Sequence, residues 1–498
     1  MALLTANTKY GTVRGIPSEK NKEHSVFRKI PFAKPPVGEL RFAAPREPDC
    51  WEGELLCDQL PPACIQVIHG EKPFYELSED CLYLNIFTPA GSRDEKLPVL
   101  FWIYGGGFNN GYGGEPEFDG EAVNQCGAIL VTINYRCSVM GFFTLPELVE
   151  KNGFAGNVGL LDQIAALKWV QGNIEEFGGD PEKVLIFGQS AGGMSVRMLL
   201  TSPLTKGLLS RAVVESGGGL NEGDLVRSRE EFTRLCQKSM EHVGWTFEDV
   251  MKRDACEVNE TLNKAVREIA DTHEVGYFQP FVDGYTLTEV PGVKVAEGDY
   301  MDIPIMVATV AGDSWMFTRK VREQLEGKTN YFRAFAYSPS QAWAQLQVEK
   351  GRSPIYTFFM DRKQPRQNHG YSHGLPPYGA DTTHGTEVAY IFGTMARKNL
   401  PYTDSDYEVS HMLTRYWVNF AEYGNPNGGD ISEGEGMDVE GKLPYWPPYT
   451  AETPFAMHVS DEGCKAENIV LSEEEQHVLD YTKAHPGMLC SLEGFFEE

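Results

Sequence analysis

The sequence predicts an α/β fold, with a mostly parallel central sheet flanked by helices and helical insertions capping the site that the sheet carries. Three observations predict it. Short apolar, β-branched runs recur along the chain; each gives way to Gly or Asn and then to helical patterning; and one run ends on a serine set between two glycines. The length supports a large core: 498 residues, 41% of them hydrophobic, allow roughly three quarters of the unfolded surface to leave water. With no internal repeat and no low-complexity tract, the chain is read as one domain over 1–498.

The strands come first. The runs 97–104 (LPVLFWIY), 128–134 (AILVTIN), 184–187 (VLIF), 212–214 (AVV), 305–310 (IMVATV) and 355–360 (IYTFFM) are apolar nearly throughout, as strands covered on both faces are. Between the second and third lies a helix: Leu160, Leu161, Ile164, Leu167, Trp169, Val170 and Ile174 recur at helical spacing, and Gly178-Gly179-Asp180-Pro181 stop it. The result is strand, helix, strand, then the serine turn. Two regions depart from the alternation, about 225–275, with its charged helical stretch REEFTRLCQKSMEHV, and about 318–350. Both are expected to be helical insertions over the sheet. The Gly- and acid-rich stretch 428–442 is expected to be an exposed loop.

Charge narrows the partners. Lys and Arg total 44 against 71 Asp and Glu, a net charge of −27, which repels phosphate backbones and anionic membranes; nucleic acid is excluded as a partner. The longest apolar run, 97–104, is far short of the roughly 20 residues of a membrane span. The opening stretch MALLTANTKYGTVRG has no basic region followed by an apolar core, so a cytoplasmic protein is expected. The ten cysteines include no C-x-x-C pair, which leaves zinc and thioredoxin-type chemistry without support and reads as reduced, partly buried thiols. The triplet Asn259-Glu260-Thr261 is read as chance.

The chemistry starts at Gly188-Gln189-Ser190-Ala191-Gly192. This fits G-x-S-x-G, the sharp strand-to-helix turn that lifts a serine hydroxyl out at the top of an α/β-hydrolase sheet. A serine hydroxyl needs a base to take its proton and a carboxylate to orient that base, and in this fold they follow in the order Ser, Asp or Glu, His. Asp313 stands just after the run 305–310, at a strand's carboxyl end, and is favoured over Asp283, whose Asp-Gly context reads as a turn. For the base, His384 in DTTHGTEVAYIFG follows the run 355–360 and a long loop; His369 and His373 are its nearest rivals, and Glu387 suits a first helical turn better than a triad. The acyl oxyanion needs backbone N–H donors, and Gly106 and Gly107, at the end of the strongest strand, are placed to supply two beside the Ala191 N–H. A phosphate loop fails on spacing: G-x-G-x-x-G from Gly105 would need glycine where Asn110 stands, and a Walker motif ending at Gly327-Lys328-Thr329 would begin on Arg322.

With these residues in view, the chain resembles the type B carboxylesterase family, the cholinesterase-like α/β-hydrolases, and within it bacterial members of the p-nitrobenzyl esterase kind. The matching stretches run nearly end to end: IPFAKPPVGELRF, SEDCLYLNIF, YGGGF, GNVGLLDQ, FGGDP, GQSAGG, ESGG, HGTEVAYIFG and FAEYGNPN. The resemblance implies Ser190 as nucleophile, Asp313 as acid, His384 as base, Gly106, Gly107 and Ala191 as oxyanion donors, and a hydrogen bond from Ser216 to the acid. It also implies a disulfide between Cys64 and Cys81 in secreted relatives, where thiols are expected here in the absence of a signal peptide. The chain departs from the family in having Gln189 where most members have glutamate, and Asp313 where many have glutamate. The stretch IQVIHGEKPFYELSED holds Phe74 and Tyr75 but no tryptophan, which argues against capture of a quaternary ammonium.

The activity implied is hydrolysis of carboxylic esters, with a small-molecule ester as substrate and no metal or organic cofactor. A specialised hydroxycinnamoyl (feruloyl) esterase is the alternative, with Phe74, Tyr75, Phe108, Tyr112 and Trp315 as candidate pocket residues. A non-catalytic adhesion protein of the same family is the third reading, against which the complete set of catalytic residues stands.

Overall fold

The computed structural model describes residues 1–68, 75–154, 156–220, 228–269, 278–316, 323–365, 382–398, 400–429, 443–487 and 495–496, apart from the side chains of 314–316 and 329. Its framework is an eleven-stranded sheet: β1 (Ile16–Pro17), β2 (Ser25–Pro31), β3 (Tyr83–Thr88), β4 (Leu97–Ile103), β5 (Ile129–Ile133), β6 (Gly179–Gln189), β7 (Arg211–Glu215), β8 (Ile305–Val310), β9 (Ile355–Met360), β10 (Phe455–Ser460) and β11 (Gly463–Asn468). The spatial order is β11-β10-β9-β8-β7-β6-β4-β5-β3-β2-β1. The seven strands from β10 to β5 are parallel, and both flanks are antiparallel.

All six apolar runs lie in that parallel stretch. Every residue of β5, β8 and β9 is buried, because helices cover both faces. The seventh parallel strand, β10, has the burial pattern of a half-covered strand and sits next to the antiparallel edge, so its sequence FAMHVS lacks an uninterrupted apolar signal. Helix α1 (Ser138–Phe142) follows β5, α2 (Val158–Asn173) leads into β6, and α3 (Ala191–Thr201) leads from β6 towards β7. α2 is buried on nearly every side, and its Asp162 makes a bidentate pair with Arg136 at the end of β5, which fixes the helix to the sheet.

Between β7 and β8 the described residues include α4 (Arg229–Val243), α5 (Phe247–Lys252) and α6 (Ala255–Ile269). Ser228 and Glu231 close a capping box at the start of α4, and Gly244, with φ of 70°, ends it. α6 packs on α1, where Asn263 Nδ2 donates to Ser138 Oγ at 2.8 Å. The second expected insertion is something else. α7 (Thr329–Glu349) packs on β8 and β9, the parallel pair it joins, and is therefore a crossover that the alternation itself requires. The expected loop at 428–442 lies largely outside the described residues.

One contiguous apolar cluster extends from Ala6 to Leu479. Cys64 and Cys81 form a disulfide, contrary to the expected thiols: the short parallel pairing of Ala63–Cys64 with Leu77–Ser78 brings their Cα atoms to 5.0 Å, inside bridging range. Among the described residues no helix is long and apolar enough to cross a membrane, and no cluster of His, Cys, Asp and Glu is placed to hold a metal.

Register decides where chemistry gathers. Ile103 is opposite Gly188, Gln189 opposite Glu215, Glu215 opposite Ala308, and Val310 opposite Met360, so the carboxyl ends of β4, β6, β7, β8 and β9 stand side by side. β4 runs on into β5 on one side while β6 lies on its other, which makes the gap between them a switch point, the place where open α/β sheets bind ligands.

Candidate active site

At the end of β6, Ser190 sits with φ 59° and ψ −125°, a strained backbone for a residue with a Cβ. Glycines make that turn possible. A Cβ at Gly192 would lie 2.0 Å from the Ile103 carbonyl oxygen, one at Gly188 2.6 Å from the same oxygen, and one at Gly193 2.4 Å from the Glu215 oxygen. Helix α3 therefore starts hard against β4 and β7. The Ser190 N–H donates to the Glu215 carbonyl at 2.9 Å and pins the turn.

The glycine loop after β4 lies against this serine: a Cβ at Gly105 would be 3.0 Å from Ser190 Cβ. Gly106 and Gly107 have φ of 108° and 61°, and a Cβ at Gly106 would fall 2.2 Å from the Asn110 oxygen. Two clamps hold the loop. The Ser138 N–H donates to the Phe108 carbonyl at 2.7 Å, and Gln66 exchanges hydrogen bonds with the Gly111 N–H and carbonyl at 2.8 and 3.0 Å. Ala191 opens α3, where the first N–H groups have no intrahelical acceptor and the helix dipole favours an anion.

Asp313 follows β8, its Oδ2 accepting the Val310 N–H at 3.0 Å. Its Oδ1 is 2.7 Å from His384 Nδ1, so that nitrogen carries the hydrogen and, in the neutral imidazole, Nε2 is left with a lone pair. The loops bearing them are packed together, since a Cβ at Gly312 would lie 2.3 Å from the Thr382 carbonyl oxygen. Burial alone would push the His384 pKa down; the Asp313 hydrogen bond and charge, with Glu387 adding to them, outweigh it, and the net direction is up. The rival acid Asp283 is spent on a turn: its Oδ1 accepts the N–H groups of Tyr285, Thr286 and Leu287. His369 and His373 lie outside the described residues.

Two placements differ from expectation. His384 Nε2 is 3.1 Å from Gln189 Nε2, and among the described residues the Ser190 hydroxyl makes no hydrogen bond to it. The Ser216 hydroxyl does not support Asp313; it donates to Glu387 Oε1 at 3.4 Å, because Ser216 follows β7 and faces the first turn of α8 (Thr386–Ile391). Glu387 is fully buried, and burial first, then the Asp313 charge, push its carboxyl up to about 7. Glu215, behind it, accepts from Trp417 Nε1 at 2.8 Å and is held well above the usual carboxylate range by burial, with Glu387 adding. The Glu in the run RAVVESGG was the visible signal for this buried acid; its partner could not be read from spacing.

Among the candidate pocket residues, Phe108 is buried with its ring edge-on to Phe142. Tyr112 is fully buried, its hydroxyl on the Pro61 carbonyl and its ring 4.7 Å from that of Tyr75. These two tyrosines line a cavity with Lys29, Pro61 and Asp80. Phe74 and the Trp315 side chain are outside the described residues.

This chain matches the sequence model of the carboxylesterase family over residues 3–336 and 329–478. It is 31% identical to fumonisin B1 esterase of Sphingopyxis macrogoltabida over 88% of this chain and 86% of that one. It is 31% identical to para-nitrobenzyl esterase of Bacillus subtilis (strain 168), over 94% and 97%. Among solved structures, a PNB esterase superposes with a TM-score of 0.76 at 31% identity, covering 95% of this chain and 99% of its own, and a thermophilic PNB esterase with 0.79 at 29% identity and the same coverage.

Proposed function

Because this chain belongs to the carboxylesterase family, has the α/β-hydrolase fold and is a carboxylic ester hydrolase, we propose that it works through a covalent acyl-enzyme made on Ser190. Ser190 Oγ attacks the ester carbonyl carbon while His384 Nε2 takes its proton. Asp313 holds the Nδ1–H and stabilises the imidazolium. The carbonyl oxygen becomes an oxyanion that the N–H groups of Gly106, Gly107 and Ala191 meet, each such donor typically being worth on the order of 3 kcal/mol of transition-state stabilisation. On collapse, the alcohol leaves with the proton from Nε2. Water then repeats the sequence: Nε2 takes a proton from it, its oxygen attacks the acyl carbon, and the carboxylic acid leaves as Ser190 regains its hydrogen.

The observation that carries this reading is the 2.7 Å Asp313–His384 pair beside a serine held at positive φ against a glycine loop. A fluorophosphonate test follows. Wild type should gain one adduct by intact mass and hydrolyse p-nitrophenyl butyrate, and Ser190→Ala should do neither; a labelled, active Ser190→Ala protein refutes the assignment.

A further inference from the structure

We infer that Gln189 is a positioning residue that latches His384: its side-chain amide occupies the Nε2 lone pair in the free enzyme, and the Ser190 hydroxyl must displace it before acylation. The inference rests on the assignment of Ser190 and His384 above. Its ground is geometric. In the neutral imidazole, with Nδ1–H committed to Asp313, Nε2 accepts, and the group 3.1 Å away is the Gln189 amide nitrogen, a donor.

Strand geometry explains why this residue reaches the base. Side chains alternate along β6, and Gln189, the residue before the nucleophile, stands opposite Glu215 of β7 in the parallel register. That places it under the loops from β8 and β9, between Gly105 and Gly385: a Cβ at Gly105 would be 3.4 Å from Gln189 Oε1, and one at Gly385 3.5 Å from Gln189 Nε2. Gln189 is only 8% exposed, so water has little room to replace its contact.

A neutral amide has a definite consequence at this place. Donating to Nε2, it favours the neutral imidazole, the form that can act as a base. A carboxylate there could only accept, and would favour the imidazolium. The titratable groups facing His384 are Asp313 at Nδ1 and Glu387 behind it, the latter backed by Glu215.

The test is the rate of fluorophosphonate labelling against pH for wild type, Gln189→Met and Gln189→Glu, each checked for a wild-type thermal transition. Methionine fills the same space without a donor. Its plateau rate should rise about fivefold, the equivalent of one ordinary hydrogen bond of about 1 kcal/mol. Glutamate should move the acid limb up by about one pH unit or more, as an opposite charge so close to an imidazolium does. A Gln189→Met plateau no faster than wild type, or a Gln189→Glu limb that stays in place, overturns the latch. Labelling of Ser190→Ala would instead overturn the assignment beneath it, so the two failures are told apart.

Discussion

Replacing Glu387 with glutamine should stabilise the protein at pH 8 far more than at pH 5. The side chain is fully buried; Oε1 accepts from the Ser216 hydroxyl at 3.4 Å, and Oε2 has no partner among the described residues. Its pKa stands at about 7, against 4.5 for a free glutamate. Between those values the folded chain keeps a proton that the unfolded chain has lost, so stability falls as pH rises, by about 1.4 kcal/mol per unit. The contribution is fully present below pH 4.5 and gone above about 7. From pH 5 to pH 8 the loss is about 2.5 kcal/mol. Glutamine resembles the protonated acid and does not titrate. At roughly 2.1 cal/mol/K per residue, unfolding a chain of this length carries about 1 kcal/mol/K of entropy, so the difference in Tm between variant and wild type should widen by about 2 to 3 °C. Scanning calorimetry at the two pH values reads it. A Tm difference that is the same at pH 5 and pH 8 would refute the claim that Glu387 is folded in its protonated form.

Two further outcomes follow from geometry. Gly192→Ala puts a methyl 2.0 Å from a β4 carbonyl oxygen that the sheet holds in place, so the turn that carries Ser190 must shift; labelling and ester turnover should fall at least about 100-fold, the usual cost of an ångström of misplacement, and a near-wild-type rate would refute the close-packing argument. Alkylation of the denatured chain should add two more carbamidomethyl groups after reduction than before, and Cys64→Ser with Cys81→Ser should lower stability by about 3 kcal/mol, the entropy of a loop of this size; equal counts with and without reductant would mean free thiols.

The sheet was legible where burial was two-sided. β4, β5, β8 and β9 are covered on both faces, so composition alone marked them. β10 was not, because one of its neighbours is the antiparallel edge strand β11 and it alternates. α7 differs from the expected insertion for another reason. Helical patterning is the same whether a helix crosses over between two strands or caps them, and only the β8–β9 pairing distinguishes the two. The disulfide shows the same limit, since the reading from compartment had no access to the short pairing that brings Cys64 to Cys81.

In the site, what could be read was what one strand carries in its own sequence: a serine bracketed by glycines, an acid just past an apolar run, and a histidine after the next. What could not be read was lateral. Glu215, Gln189 and Glu387 come from three different segments, and each was visible as a residue, with Glu387 even placed in its helical turn. Their meaning depends on the register that sets Gln189 opposite Glu215 and on the loop that returns His384 and Glu387 over both. The asymmetry between them is physical. Asp313 is tied to a backbone N–H and to the imidazole that needs its charge. Glu215 and Glu387 lie deeper, with one oxygen each left unpartnered among the described residues, and burial holds them towards the neutral form. The proton affinity of His384 is therefore raised chiefly by its hydrogen bond to Asp313 and the charge of that carboxylate, with Glu387 adding to it. The neutral Gln189 on its other nitrogen then opposes that pull without adding a further charge, which is why exchanging this one amide for a carboxylate should move the acid limb while the fold stays as it is.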